Sequence, residues 1–349
     1  MEISHSSERY PGALHGKIVP VCALRRRPVV SIIMPACNVE LFVGEAISSM
    51  LNQTFDDFEF LIVDDASIDA TIDVIRGFDD SRIRLYCNET RLGVAGSLNT
   101  LLDKAQGDFI ARMDADDISL PYRLATQVAF MRDNEDIWAS GGPYTAFVDG
   151  DKPVFVRSVP ATHDEIKAAL VFFNPIAHPF MIYRGDAWRK HVIRYNTSSL
   201  YTEDYELWIR LTHKYAEGRM ANLQDTIGKH RRHAFSVSAR HTDVQWGAAV
   251  KLQTRLLQGL GFSVFDKGLA IHAAFFAKRQ RVMTIEQVFQ VFEWAERLQD
   301  ANRQKKIYDE GVLRRLLFEQ LLRVAEESPE FASTAYKLLA QWNRQVKPT

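Results

Sequence analysis

Apolar residues in the first half of the chain recur in two alternating rhythms. Val29-Val-Ser-Ile-Ile-Met34 is a β-branched apolar run, which predicts a buried strand closed by Pro35. From Glu40 to Asn52 the apolar positions Leu41, Ala46, Ile47, Met50 and Leu51 fall at helical spacing. The same alternation predicts a strand over 58–63 and a helix over 68–78, then a strand over 83–86 and a helix over 96–106. A strand over 109–113 and a helix over 122–134 close the series. Strand–helix alternation with short connections predicts an α/β fold, a mostly parallel sheet flanked by helices. In such sheets ligands bind beyond the carboxyl ends of the strands.

The pattern then becomes less regular. Extended segments are predicted near 138–140, 144–147 and 154–156, a helix over 163–172, a strand over 179–183 and a helix over 203–215. Beyond about Val244, Leu, Ala, Gln, Glu, Lys and Arg dominate at helical spacing, which predicts an all-helical C-terminal extension of three to five helices. Residues 1–27 show no periodicity and end in Arg25-Arg26-Arg27. The resulting division is an N-terminal arm (1–27), an α/β domain (28–243) and a helical region (244–349).

Composition narrows the class. A chain of 349 residues with 46% hydrophobic and 25% charged residues can bury a sizeable core. A net charge of −1 gives no global electrostatic case for nucleic acid, so no nucleic-acid partner is expected. Cys22, Cys37 and Cys87 have no CxxC spacing and leave an odd count, which points to a reducing compartment. No apolar run reaches the roughly 18 residues a membrane span needs, and polar residues occupy the place of a signal peptide's apolar core. A cytoplasmic location is expected, with contact at the inner face of the membrane left open. The helical region has three roles open to it: packing on the sheet, forming a homodimer or docking on a membrane surface.

The richest chemistry lies in Asp114-Ala-Asp116-Asp117, directly after the strand Phe109-Ile-Ala-Arg-Met113. Carboxylates crowded at a strand end repel one another and lose solvation. A divalent cation relieves this, and Mg²⁺ or Mn²⁺ takes hard oxygen ligands, usually one or two carboxylates plus substrate phosphates. An acidic turn before a helix is the alternative. Asp64 and Asp65 end another strand at the same edge of the predicted sheet, and that shared position strengthens the ligand-site reading.

Several segments, taken in order, carry a family resemblance. Ser31-Ile-Ile-Met-Pro35-Ala-Cys-Asn38 comes first. Gln53-Thr-Phe55 follows, then Glu59-Phe-Leu-Ile-Val-Asp64-Asp65-Ala-Ser67-Ile-Asp69 and Arg91-Leu-Gly93 through Asn99. Asp114-Ala-Asp116-Asp117 with Leu120-Pro-Tyr-Arg123-Leu, His178-Pro179 and Glu203-Asp204-Tyr-Glu-Leu-Trp208 complete the set. Over about 29–238 the chain resembles family 2 glycosyltransferases of the GT-A (Rossmann-like) fold. The resemblance implies a nucleoside-diphosphate sugar donor, with uridine as the expected base, and a saccharide or lipid-linked acceptor. It implies Mn²⁺ or Mg²⁺ as cofactor, an inverting transfer and a setting in polysaccharide or glycan biosynthesis.

The resemblance also implies residue roles. Pro35, Ala36 and Asn38 fall in the nucleotide loop. Asp65 would contact the base, with an N-cap for the helix from Ile68 onward as its alternative. Arg91 would reach the nucleotide or lie on the surface. Asp114 would face the ribose or a metal-bound water, while Asp116 and Asp117 would hold the metal. Lys229-His-Arg-Arg-His233 resembles a basic segment in which Arg231 or Arg232 would offset diphosphate charge and His233 would touch metal or phosphate. Asp204 stands where the general base is expected, and Glu203 would either join it or complement the helix dipole. His178 would shape the acceptor pocket. One departure is Cys37, where the family often carries an aromatic residue able to stack on the base.

Other classes fit less well. A nucleotidyltransferase would show a Gly-rich, basic phosphate loop after the first strand, and Pro35-Ala-Cys-Asn38 is not one. A dehydrogenase would show GxGxxG there. A non-catalytic nucleotide-sugar-binding scaffold would have no use for Asp65, Asp116, Asp117 and Asp204 together.

Overall fold

Residues 27–148, 152–215, 217–234, 236, 240–277, 282 and 284–344 are described in the computed structural model. The expected N-terminal arm therefore lies outside the described residues except for Arg27, which donates to the Gly107 carbonyl at 3.2 Å. The strands are β1 (Val30–Ala36), β2 (Phe58–Asp64), β3 (Ile83–Cys87), β4 (Phe109–Arg112), β5 (Ile118–Ser119), β6 (Ile137–Gly141), β7 (Tyr144–Val148), β8 (Lys152–Arg157), β9 (Ile182–Arg184), β10 (Arg219–Asn222) and β11 (Gly228–Arg231). Between them lie α1 (Val43–Leu51), α2 (Thr71–Arg76), α3 (Gly93–Leu102), α4 (Arg123–Asp133), α5 (His163–Ala169), α6 (Gly185–Lys190) and α7 (Glu203–Lys214).

A seven-stranded sheet has the order β10-β6-β9-β4-β1-β2-β3. The pairs β1–β2, β1–β4, β2–β3 and β10–β6 are parallel, and β9 runs antiparallel to both its neighbours. Alternate residues of the central strands feed two different cores. Ile33, Leu61 and Val63 belong to one, and Ile32, Phe60 and Ile62 to the other. That is why these strands read as unbroken apolar runs. A second, four-stranded sheet in the order β5-β11-β7-β8 was not anticipated. It leads the chain from the Asp114–Asp117 run into β5 and brings β11 back beside it.

The structure corrects several predicted boundaries. Pro35 does not close β1, which runs on to Ala36 paired with Asp64. The Ile33 carbonyl accepts from Met113 N, so the odd-numbered positions of β1 face β4. The β4 register stops at Ile33, so Pro35 lies past the ladder and its missing N–H breaks no bond there. The strand expected over 179–183 divides into a 3₁₀ turn, His178–Phe180, and β9. α1 begins at Val43 rather than Glu40. α2 is shortened because Asp69 turns back to accept from Thr71 N and Ala66 has φ of 53°. α3 starts early at Gly93, whose φ of 72° suits a residue without Cβ.

Beyond α7 the described residues form helices at Thr242–Gly259, Lys267–Ile271 with a π turn at His272–Ala277, Ile285–Lys305, Glu310–Glu327 and Ala332–Arg344. They do not build a separate core. Leu252, Val291, Leu317 and Trp342 join one cluster with Ile33, Val63 and Leu98. Buried polar bonds cross the join, with Gln253 Nε2 donating to the Phe172 carbonyl and His272 Nε2 bonding the Val171 carbonyl. Among the described residues no helix is long and apolar enough to cross a membrane.

Candidate active site

The carboxyl ends of β1, β2 and β4 open onto two adjoining cavities. One, of about 630 Å³, is lined by Cys37, Asn38, Asp65, Arg91, Asp116, Glu203 and His233. The other, of about 320 Å³, is lined by Arg112, Asp114, Asp116, Asn174, His178, Glu203 and Asp204 among others. Asp116 and Glu203 belong to both walls.

In the larger cavity the side chains are held by the loops that carry them. Asn38 has φ of 52°, and its Oδ1 accepts from Ile68 N at 2.9 Å, which ties the β1 loop to the β2 loop. Asp65 Oδ1 accepts from Asn88 Nδ2 at 2.7 Å and Leu92 N at 2.8 Å, and Oδ2 accepts from Gly93 N at 2.8 Å. Asp65 therefore anchors the start of α3, an anion at a helix N-terminus. Arg91 Nη2 lies 2.8 Å from Cys37 Sγ. Burial pushes the Cys37 thiol up, against the opposing charge of Arg91. Pro35 and Ala36 stand behind the wall rather than on it. Ala36 is core, and its carbonyl accepts from Asp65 N, so these two carry the loop.

The acidic run supplies the strongest electrostatic feature. Asp114, Asp116 and Asp117 present oxygens that all lie within 4.8 Å of one another. Burial, together with Asp116 and Asp117, raises the Asp114 carboxyl to about 6, against the opposing pull of Arg112, whose Nη1 is 2.5 Å away. Burial also acts upward on Asp116, but the hydrogen bond and charge of His233 and the charge of His230 outweigh it and leave that carboxyl low. His233 Nε2 sits 2.9 Å from Asp116 Oδ2. Asp117 is fully buried, and its Oδ1 meets His230 Nδ1 at 3.0 Å and accepts from Arg231 N at 2.8 Å. Its Oδ2 is buried with no hydrogen-bond partner among the described residues. A buried oxygen without a partner costs free energy, and three hard oxygen donors this close suit a Mg²⁺ or Mn²⁺ ion. The residues fit the implied metal.

β11 is what closes this end. It brings His230 and Arg231 over Asp117 although they are more than a hundred positions away. Burial lowers His230, but Asp117 more than compensates and raises it to about 9. Arg231 turns away from the cavities. It pairs with Glu45, donates to the Asp116 carbonyl at 3.0 Å and stacks on Phe42 and Phe147. That geometry makes it a brace whose charge lies beside the acidic run, outside the lining of both cavities.

Asp204 stands in the first turn of α7 and lines the smaller cavity. Leu207, Trp208 and Leu211 bury the apolar face of that helix and fix its direction. Asp204 Oδ1 accepts from Tyr205 N at 2.7 Å, and Oδ2 accepts from Asn174 Nδ2 at 2.7 Å. Burial raises Asp204, with these two bonds opposing it. Burial and the neighbouring Asp204 raise Glu203 to about 7. His178 is buried, lies 2.8 Å from the Tyr195 hydroxyl and is pushed well below its ordinary value by burial and Arg112.

Sequence reasoning gave no role to Asn174, Arg112 or Arg123. Arg112 is the last residue of β4 and pairs with Asp114 two positions on, a signal that was present but hidden at the end of an apolar run. Arg123 is fully buried and donates to Gln127 Oε1 at 3.0 Å, Ser119 Oγ at 2.9 Å and the Arg112 carbonyl at 2.6 Å, beneath the acidic run. Asn174 had no local signal, because its partner lies 30 residues further on.

The fold and the carboxylate cluster at its strand ends define a glycosyltransferase of the GT-A type. The structure is similar to that of Staphylococcus aureus TarS in complex with UDP-GlcNAc (TM-score 0.54, 17% identity, covering 90% of this chain and 91% of that one). It is also similar to the mannosyltransferase PcManGT of Pyrobaculum calidifontis in complex with GDP-Man and Mn²⁺ (TM-score 0.50, 16% identity, covering 92% and 87%). At the level of sequence, the description "Glycosyl transferase family 2" matches residues 31–192. An uncharacterized glycosyltransferase of Haemophilus influenzae is 31% identical over 236 residues, covering 65% of this chain and 72% of that protein. The Escherichia coli protein WfaP, a UDP-Glc:alpha-D-GlcNAc-diphosphoundecaprenol beta-1,3-glucosyltransferase, is 31% identical over 237 residues, covering 66% and 90%. The chain belongs to glycosyltransferase family 2.

Proposed function

We propose that this protein is a metal-dependent, inverting glycosyltransferase. It moves a sugar from a nucleoside-diphosphate donor, with uridine as the base, to a hydroxyl of a saccharide or lipid-linked acceptor in glycan assembly. The observation that carries the reading is the 320 Å³ cavity, whose lining brings Asp114 and Asp116 of the acidic run together with Asp204. A displacement at an anomeric carbon needs charge stabilisation on the leaving side and a base on the attacking side.

Asp116 and Asp117 hold the metal, and His233 beside Asp116 contacts metal or phosphate. When bound, Mg²⁺ or Mn²⁺ supplies positive charge to the departing nucleoside diphosphate. Asp65 Oδ2, with Gly93 N as its one donor among the described residues, keeps a lone pair for a base N–H. Cys37 offers no ring for stacking, but Arg91 reaches across to its sulfur, and a planar guanidinium can stack on a base. Asp204 takes the proton of the acceptor hydroxyl as that oxygen forms its bond to the anomeric carbon. The bond to the diphosphate oxygen breaks on the opposite face. Asn174 and Tyr205 N orient the base.

Support for the donor and setting comes from the relatives. TarS is seen with UDP-GlcNAc, PcManGT with Mn²⁺, and the WfaP name states a lipid-linked acceptor. A cytoplasmic enzyme that meets its acceptor at the inner membrane face accords with them. Calorimetric titration with UDP, dTDP and GDP, with and without Mn²⁺, tests the reading. Binding of UDP that requires the metal is expected. Folded protein that binds none of the three overturns it.

A further inference from the structure

The wall of the 320 Å³ cavity near the base carries a cation that the transfer chemistry does not use. Arg157 lines that cavity together with Tyr144, Asn174 and Asp204. It ends β8, a strand whose residues are all exposed, and sits opposite Tyr144 in the β7–β8 ladder. The hairpin thus delivers one guanidinium to the cavity mouth. Arg157 Nη2 donates to the Asn174 carbonyl at 3.1 Å, and Asn174 Nδ2 donates to Asp204 Oδ2 at 2.7 Å. Arg157 is therefore separated from the candidate base by a single residue. A molecule that places a hydroxyl at Asp204 brings its neighbouring groups to Arg157.

The charges in this cavity are unevenly committed. Asp114 pairs with Arg112, Asp116 with His233, and Asp204 accepts from Asn174. Among the described residues Arg157 has no carboxylate in ion-pair range, and its nearest fixed partners are a carbonyl and the Tyr144 phenol. Burial raises that phenol, while Arg157 and Arg232 pull it back, which brings a second guanidinium's field into the same corner. A guanidinium carries five N–H donors in a fork that matches an oxyanion, and about three remain for a ligand after these two contacts.

We propose that the acceptor of this enzyme carries an oxyanion close to its reacting hydroxyl, a phosphate or a carboxylate, and that Arg157 binds it. The inference rests on the transferase reading with Asp204 as base. It makes Arg157 a specificity residue for the acceptor, with no part in donor chemistry.

The test uses the full chain, titrated calorimetrically with three probes of matched alkyl length. These are a neutral N-acetylglucosamine glycoside, the corresponding N-acetylglucosamine diphosphate ester and a glucuronide. Each is run with and without UDP and Mn²⁺. At least one anionic probe is expected to bind about tenfold or more tighter than the neutral one, as for a charge-assisted contact of roughly 1.4 kcal/mol or more. The diphosphate and glucuronide arms tell phosphate from carboxylate. In Arg157→Gln that preference should fall to less than about threefold, with UDP binding unchanged and Arg157→Lys recovering part of the preference. Equal binding of all three probes by the wild type overturns the proposal, and so does a preference that survives in Arg157→Gln. Failure of UDP to bind counts against the transferase reading alone, because the anion preference is still measured in the runs without UDP.

Discussion

Replacing Asn174 by Ala should move the pH dependence of catalysis without abolishing catalysis. Asn174 Nδ2 donates to Asp204 Oδ2 at 2.7 Å, and a bond to the charged form of a carboxyl holds its pKa down. Burial already pushes Asp204 upward, and the bond from Asn174 is among those that oppose it. A hydrogen bond to a charged group contributes about 1.5–3 kcal/mol. At about 1.36 kcal/mol per pH unit, its loss raises Asp204 by roughly one to two pH units. A general base works only when deprotonated, so activity is lost on the acid side, and a raised pKa carries the acidic limb to higher pH. The assay is kcat/KM for sugar transfer from pH 5 to 9, which reports the free enzyme. In Asn174→Ala the acidic limb should shift up by that amount, with the alkaline plateau lowered less than about tenfold. The variant also loses the bond from Ile176 N to Asn174 Oδ1 at 3.2 Å, which affects stability by about 1 kcal/mol. A uniform fall in rate at every pH, with the limb in place, would refute the argument that Asn174 tunes the base.

Three further outcomes are expected. Asp117→Asn should remove metal-dependent donor turnover and lower the urea midpoint at neutral pH, since the amide oxygen can still accept from Arg231 N but no longer supplies the charge that keeps His230 protonated; turnover that survives would dissociate Asp117 from the metal. Arg123→Ala leaves the Arg112 carbonyl, Gln127 and Ser119 short of a donor and opens a cavity, so a loss of roughly 3–5 kcal/mol is expected by denaturant unfolding. A loss under about 1 kcal/mol would show that the site repacks or admits water. Glu203 rises from 4.5 to about 7 on folding, so the folded chain holds a proton that the unfolded chain gives up between those values. Stability should therefore fall as pH rises across that window. Glu203→Gln should flatten that fall and be stabilising at pH 8 but not at pH 4, as read from urea midpoints, by about 1–3 kcal/mol after its partial exposure is discounted.

The alternation of the first half was legible because β1, β2 and β4 are short runs of apolar residues buried on both faces, and the intervening helices keep one apolar stripe. Boundaries failed where a side chain outside the local pattern decided them. Asp65 set the start of α3 from another loop, and the end of β4 made Pro35 harmless inside β1. The smaller sheet escaped notice because β5 is two residues long and pairs with a strand more than a hundred positions away.

The candidate site divides in the same way. The acidic run, Asp65 and Asp204 stand in local motifs whose chemistry shows in residue type and spacing. By itself the sequence determined the strand-end position of the carboxylates and the helix that carries Asp204, because both follow from hydrophobic periodicity within about twenty residues. Only the tertiary structure decided which oxygens are free and which are bound. It put His230 and Arg231 N on Asp117, Asn174 on Asp204 and Arg157 beside Asn174. Those contacts depend on how distant strands cross and how far each group is taken out of water. Both are properties of the packed sheet and loops, to which no single segment is a guide.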